Sequence, residues 1–198
     1  MHVQATTDYL WFKETIKNTA LVSQLKKITL LICDVDGTLA DAHVYTNQQG
    51  EGGRLFSTQD GFIVKFALKE KITIAFVSGK KNESTLQRAK ILGIPEEFCI
   101  CGVEEKITAI KNLQKKVTAS FQQTLVFGDD ILDFNIKAHE IAGLFVCPCN
   151  APFYLHHKAD LVIPRTGGNN AFRFFIDFML FIKNKHPLQT IITESLAQ

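Results

Sequence analysis

Five apolar runs of four to six residues punctuate the chain: ITLLIC (28–33), ITIAFV (72–77), FCIC (98–101), TLVF (124–127) and LFVC (144–147). Each is rich in β-branched or aromatic residues and nearly continuous in apolar character, as strands covered on both faces are. Between them the apolar residues recur at helical spacing. NESTLQRAKILGI (82–94) groups Leu86, Ala89 and Leu92 or Gly93, with Asn82 or Ser84 as a starting cap and Gly93 as a stop. EEKITAIKNLQKK (104–116) repeats Ile107, Ile110 and Leu113, and ILDFNIKAHEIAG (131–143) ends in glycine. Strand alternating with helix predicts an α/β fold, a three-layer Rossmann-like arrangement with a parallel sheet between helices.

Two regions depart from the alternation. Residues 1–26 read as a helical extension, with Leu10, Phe12, Ile16, Leu21 and Leu25 loosely on one face. Residues 41–58 place turn residues between the alternating stretches HVYT and RLFS, which predicts a β-hairpin arm just after the first strand. The remainder, 27–182, is expected to form one domain, followed by a tail at 183–198. The greasiest run, FFIDFMLFI (174–182), is too short to span a bilayer and carries Asp177, so it reads as a buried or interfacial helix face. No apolar core of signal-peptide length precedes Lys13. Neither a membrane nor, at a net charge of +2, a nucleic acid is an expected partner. Cys33, Cys99, Cys101, Cys147 and Cys149 form C-x-C rather than C-x-x-C pairs, and their odd number cannot pair fully within the chain. They read as small apolar strand-end residues of a cytoplasmic protein.

Ligands of open parallel sheets bind beyond the carboxyl ends of the strands. Those ends carry Asp34-Val35-Asp36-Gly37-Thr38, Ser78-Gly79-Lys80 and Gly128-Asp129-Asp130, with Asp133 one helical turn on and Lys106 opening the third helix. A lone D-x-D is common and an acid pair before a helix can be a simple cap, but together the hydroxyl, the lysine and four of the five acids are expected to converge on one crevice. Crowded carboxylates raise one another's pKa, a cost that a divalent cation removes, and an all-oxygen site suits magnesium. Asp34 is then free to attack phosphorus, Lys106 offsets developing charge, Ser78 holds phosphate oxygens, and Asp36 serves as acid and base.

With these motifs in view, the chain resembles the haloacid dehalogenase superfamily: DVDGT, VSGK, Lys106 and GDDILD look like its four motifs in order. Across 27–182 it is similar to the 3-deoxy-D-manno-octulosonate 8-phosphate phosphatase family, through LLICDVDGTLAD, FSTQDGFIVKFAL, VSGKKNESTLQRAKILGI, GDDILD and KADLVIPRTGGNNAFR. That resemblance implies a capless homotetramer in which hairpin arms close the site, and a role in lipopolysaccharide biosynthesis. The 23 residues between Asp36 and Asp60 leave no room for a cap domain. It further implies Asp34 as nucleophile, a magnesium ion on Asp34, Asp129 and the carbonyl of Asp36, and a sugar-phosphate substrate. Ser57, Thr58, Gln59, Asp60 and Gly61 match the family's substrate loop, and Lys65, Lys80, Arg88 and Lys106 its basic substrate-binding positions.

Departures touch the substrate pocket. Gln59, Lys65 and Lys80 stand where the family usually has arginine, and GGNNAFRF lacks a glycine and an acid of the usual ending. A lysine cannot grip a carboxylate bidentately, so a nonulosonate 9-phosphate is a competing substrate. A non-catalytic oligomerisation module and a metal- or redox-regulated protein using the C-x-C pairs are the readings from other classes.

Overall fold

The structure, a computed structural model, describes residues 3–48 and 50–189. The N-terminal region is two helices rather than the one expected: α1 (Val3–Thr15) and α2 (Thr19–Lys27). The break falls at Asn18, whose side chain accepts from the Leu21 amide at 3.1 Å and so begins α2. Leu10 and Ile16 are consequently exposed, while Leu21 and Leu25 are buried. Trp11, not Leu10, anchors α1: its indole N–H donates to the Val162 carbonyl at 2.8 Å.

Then follow β1 (Leu30–Cys33), the arm strands β2 (Thr46–Asn47) and β3 (Gly50–Glu51), α3 (Thr58–Lys69), β4 (Thr73–Ser78), α4 (Glu83–Leu92) and β5 (Cys99–Cys101). The chain continues through α5 (Lys106–Val117), β6 (Thr124–Phe127), α6 (Ile131–Ala138), β7 (Leu144–Pro148), α7 (Phe153–His156), β8 (Leu161–Ile163) and α8 (Ala171–Ile182). Six strands form one open parallel sheet in the order β5-β4-β1-β6-β7-β8. The sixth, β8, escapes a reading by apolar runs because only three such residues mark it. Helix α6 stops at Ala138, short of the expected glycine. Glu140 turns the chain with a positive φ, and Gly143 instead donates to the carbonyls of Phe121 and Thr124.

Alternation along β1 divides the core. Leu31 and Cys33 face the layer holding α2, α3, α4 and α8, whereas Leu30 and Ile32 face α5 and α6. Eight residues of α8 are buried, which explains the apolar run FFIDFMLFI without any membrane. Among the described residues no helix is long and apolar enough to cross a bilayer.

The arm is shorter than its sequence pattern implies. Thr46 and Asn47 pair with Glu51 and Gly50, and an isolated Ala40–Phe56 bridge closes its root. Most of HVYT and RLFS therefore lies outside any ladder; Val44, Tyr45 and Leu55 point into solvent, and two short strands alone have no apolar face to rest on. Of the 183–198 tail, the described part turns at 183–184 and is helical at 187–189, tied back by His186 Nε2 to Asp177 Oδ1 at 3.0 Å; residues 190–198 lie outside the described residues.

Candidate active site

β1 is flanked by β4 and β6, so the loop leaving it is set between Ser78 and Asp129. Asp34 still belongs to the sheet through its N–H, which donates to the Phe127 carbonyl at 2.9 Å. Beyond it, Val35–Leu39 form one wide turn, closed by the Ala40 N–H on the Val35 carbonyl at 2.8 Å. Gly37 has a φ of +84°, and a Cβ there would lie 2.1 Å from Asp129 Oδ2. Glycine is thus required twice over, for conformation and for close approach. Gly167 packs onto the same turn from far along the chain: its Cβ would fall 1.8 Å from the Gly37 carbonyl oxygen. Asn150 bridges the two, donating to that oxygen at 3.3 Å and accepting from Gly167 N–H at 2.7 Å.

Carboxylate oxygens of Asp34, Asp129 and Asp133 lie within 4.8 Å of one another. Lys106 Nζ sits between Asp34 Oδ1 (2.5 Å) and Asp133 Oδ1 (2.8 Å), and Thr38 donates to Asp129 at 3.1 Å. Burial pushes the Asp34 carboxyl well above the usual range, reinforced by Asp133 and opposed by Lys106. Burial and Asp133 push Asp129 up to about 6. Burial works against the Lys106 ammonium, but Asp133 and Asp34 outweigh it and hold its pKa high. Holding all three carboxylates ionised against one ammonium would leave two negative charges uncompensated in a nearly dry pocket, a donor set and a deficit that fit one hard dication. Asp130 is not part of this group: it caps α6 through Ile131 N–H at 2.6 Å, and Asp133 Oδ2 accepts the Asp130 N–H in return at 3.2 Å.

Asp36 turns its side chain elsewhere. Its carboxylate accepts from Arg54 Nε, a residue that no sequence pattern singled out. Arg54 comes from the arm root, where its N–H donates to Ser84 Oγ at 3.0 Å. It also lines a cleft of about 690 Å³ between the root and the start of α4, with Phe56, Lys81, Asn82 and Arg88. Ser78 ends β4 buried, its Oγ accepting from the Lys80 N–H at 3.1 Å.

The candidate substrate loop is occupied with holding helices together. Ser57 Oγ caps α3, accepting from the amides of Gln59 and Asp60, and donates to Asn170 at 2.5 Å. Asp60 Oδ1 accepts the Arg173 N–H in the first turn of α8 at 2.7 Å, while its Oδ2 is buried without a partner. Arg88 donates to the Ser57 carbonyl at 2.8 Å, passing close over Gly61. Thr58 and Gln59 are exposed at the start of α3, Lys80 is exposed after β4, and Lys65 is exposed two turns into α3, further from the strand ends.

No protein-family model matches the chain. It is 31% identical over 168 residues to the 3-deoxy-D-manno-octulosonate 8-phosphate phosphatase KdsC of Salmonella typhi, covering 85% of this chain and 87% of that one. A HAD superfamily (subfamily III A) hydrolase of Legionella pneumophila superposes with a TM-score of 0.81 at 31% identity, over 94% of this chain and 99% of that one. The 3-deoxy-D-manno-octulosonate 8-phosphate phosphatase of Moraxella catarrhalis, in complex with magnesium ion, phosphate ion and KDO, gives 0.79 at 30% identity, over 89% and 98%. Sheet order, the acid cluster and these likenesses define a hydrolase of the haloacid dehalogenase class. Within that class the chain belongs to the 3-deoxy-D-manno-octulosonate 8-phosphate phosphatase family.

Proposed function

We propose that this protein is a magnesium-dependent phosphatase that hydrolyses 3-deoxy-D-manno-octulosonate 8-phosphate through a phosphorylated Asp34. The observation that carries the reading is the buried group of Asp34, Asp129 and Asp133 around Lys106 at the centre of the sheet. Asp34, Asp129 and the Asp36 carbonyl would hold the magnesium ion, with Asp133 behind them; when bound, the ion supplies positive charge against the carboxylates and the phosphoryl oxygens.

Asp34 attacks phosphorus through a carboxylate oxygen, the ester P–O bond breaks, and the leaving alkoxide takes a proton from Asp36. Water then attacks the acyl phosphate, giving its proton to Asp36, and the P–O bond to Asp34 breaks to release inorganic phosphate. Lys106 stays charged beside Asp34 and offsets the charge that builds on the transferred group. Ser78 Oγ offers a hydroxyl to the phosphate. Arg54 holds Asp36 in place with a cation that cannot itself take up or lose the transferred proton. The cleft beside Arg54 leaves room for a sugar acid, with Lys81 and Arg88 as cations on its wall.

The unpacked apolar residues of the arm, Val44, Tyr45 and Leu55, together with Phe62 on α3, support assembly of the chain into a tetramer. Five free cysteines accord with a cytoplasmic setting. The deciding experiment is phosphate release from octulosonate 8-phosphate, a nonulosonate 9-phosphate and p-nitrophenyl phosphate, with magnesium and with chelator. Fast release from the octulosonate ester that collapses on chelation is the expected result. No release from any of the three in magnesium would end the proposal.

A further inference from the structure

Cys99 and Cys101 stand two apart on the edge strand β5, so their side chains share one face of the sheet. Their sulfurs are 4.0 Å apart; Cys99 is buried, its one S–H within reach of either the Cys101 sulfur or the Thr85 carbonyl at 3.9 Å, whereas Cys101 is half-buried. The Cys99 thiol and the backbone N–H of Asn82 both favour a thiolate at Cys101 and hold its pKa below the ordinary value. Asn82 is the cap of α4, a helix start that also favours an anion.

We propose that Cys99 and Cys101 form a reversible oxidation site, closed by a peroxide into a disulfide that slows turnover at the adjoining site. The Cys101 thiolate attacks one peroxide oxygen, the O–O bond breaks, and hydroxide departs to leave a sulfenic acid. Cys99 sulfur then attacks Cys101 sulfur, water leaves, and the S–S bond forms. Two thiols have lost two protons and two electrons, and one peroxide has become two waters.

Closing the sulfurs from 4.0 Å to a bonded separation of about 2 Å shifts the Cys101 side chain, which the Asn82 backbone N–H contacts. That cap is linked to the catalytic rim. Asn82 donates to the Gly52 carbonyl at 3.2 Å and its Oδ1 accepts from the Ser84 N–H at 3.0 Å; Ser84 Oγ in turn accepts from Arg54 N–H, and Arg54 grips Asp36. Cys101 is also the strand partner of Ser78. The effect on turnover rests on the phosphatase reading; the disulfide does not.

The test treats the full reduced chain with hydrogen peroxide, removes the excess, and maps the peptide carrying both residues by mass. A loss of about 2 Da from that peptide is expected, with phosphate release falling roughly tenfold to a hundredfold and recovering with a small dithiol. Cys99→Ser and Cys101→Ser are expected to keep the reduced rate and to ignore peroxide. A peptide that shows no such mass loss, or one that shows it while turnover stays unchanged, overturns the proposal. Should the reduced protein release no phosphate at all, the phosphatase reading fails on its own, and the peptide mass still decides whether the disulfide forms.

Discussion

Arg54 and Asp36 form an ion pair of unequal partners: the arginine side chain is 1% exposed and the aspartate 28%. A walled-in cation therefore holds an acid that is still partly open to solvent, and under the proposed mechanism fixes where its proton is given and taken. Arg54→Ala is expected to lower kcat about a hundredfold, with Arg54→Lys in between because a single ammonium restores charge but not the planar fork. Steady-state kinetics on both variants check this, and an unchanged kcat in Arg54→Ala contradicts it.

Asp34→Asn should remove at least about a thousandfold of the activity, since an amide cannot form the acyl phosphate. The same change takes a charge out of a buried pocket, so the thermal midpoint should hold or rise. An active Asp34→Asn enzyme would show that another group attacks phosphorus.

Lys106→Met leaves Asp34, Asp129 and Asp133 without their ammonium. At neutral pH the metal-free protein should lose on the order of 3 kcal/mol, the scale seen when one partner of a buried pair is removed. The loss should shrink near pH 5, where the carboxylates take up protons, and shrink again when magnesium is added at neutral pH. Urea midpoints at the two pH values, with and without magnesium, measure it; a shift indifferent to both conditions counts against the charge argument.

Burial pushes the Asp60 carboxyl up to about 6, against the Arg173 amide and the cations of Arg88 and Arg173. Its folded pKa lies above its unfolded value of 3.8, so the folded protein holds the extra proton between those limits. Stability from this group is therefore full below about pH 4 and declines by about 3 kcal/mol as pH rises through 6. Asp60→Asn should flatten the slope of stability between pH 4.5 and 6.5, measured in saturating magnesium so that the acid cluster contributes little. An identical slope in both proteins rules this out.

What could be read from the chain beforehand divides along local and distant causes. Asp34, Asp129 and Lys106 each sit near the junction of an apolar run and a helix start, so their grouping was legible from spacing alone. Arg54 was not, because a single arginine after two glycines carries no period, and its burial depends on the folded arm root. Asp60 shows the reverse limit. Its place in a substrate-loop match could not disclose that one of its oxygens ends up on the first turn of α8, a neighbouring helix of the same layer that lies 113 residues further along the chain. The break at Asn18 and the brevity of the arm likewise reflect what those segments find to pack against, or fail to find.

The seating of Gly167 on the Gly37 carbonyl bears on how the molecule comes off the ribosome. Every acid of the cluster has been translated by residue 133, yet the turn that shapes the nucleophile is still missing the backbone that seats it. A chain ending between those two points would carry every acid of the cluster without the backbone that packs on their turn, and is expected to release no phosphate.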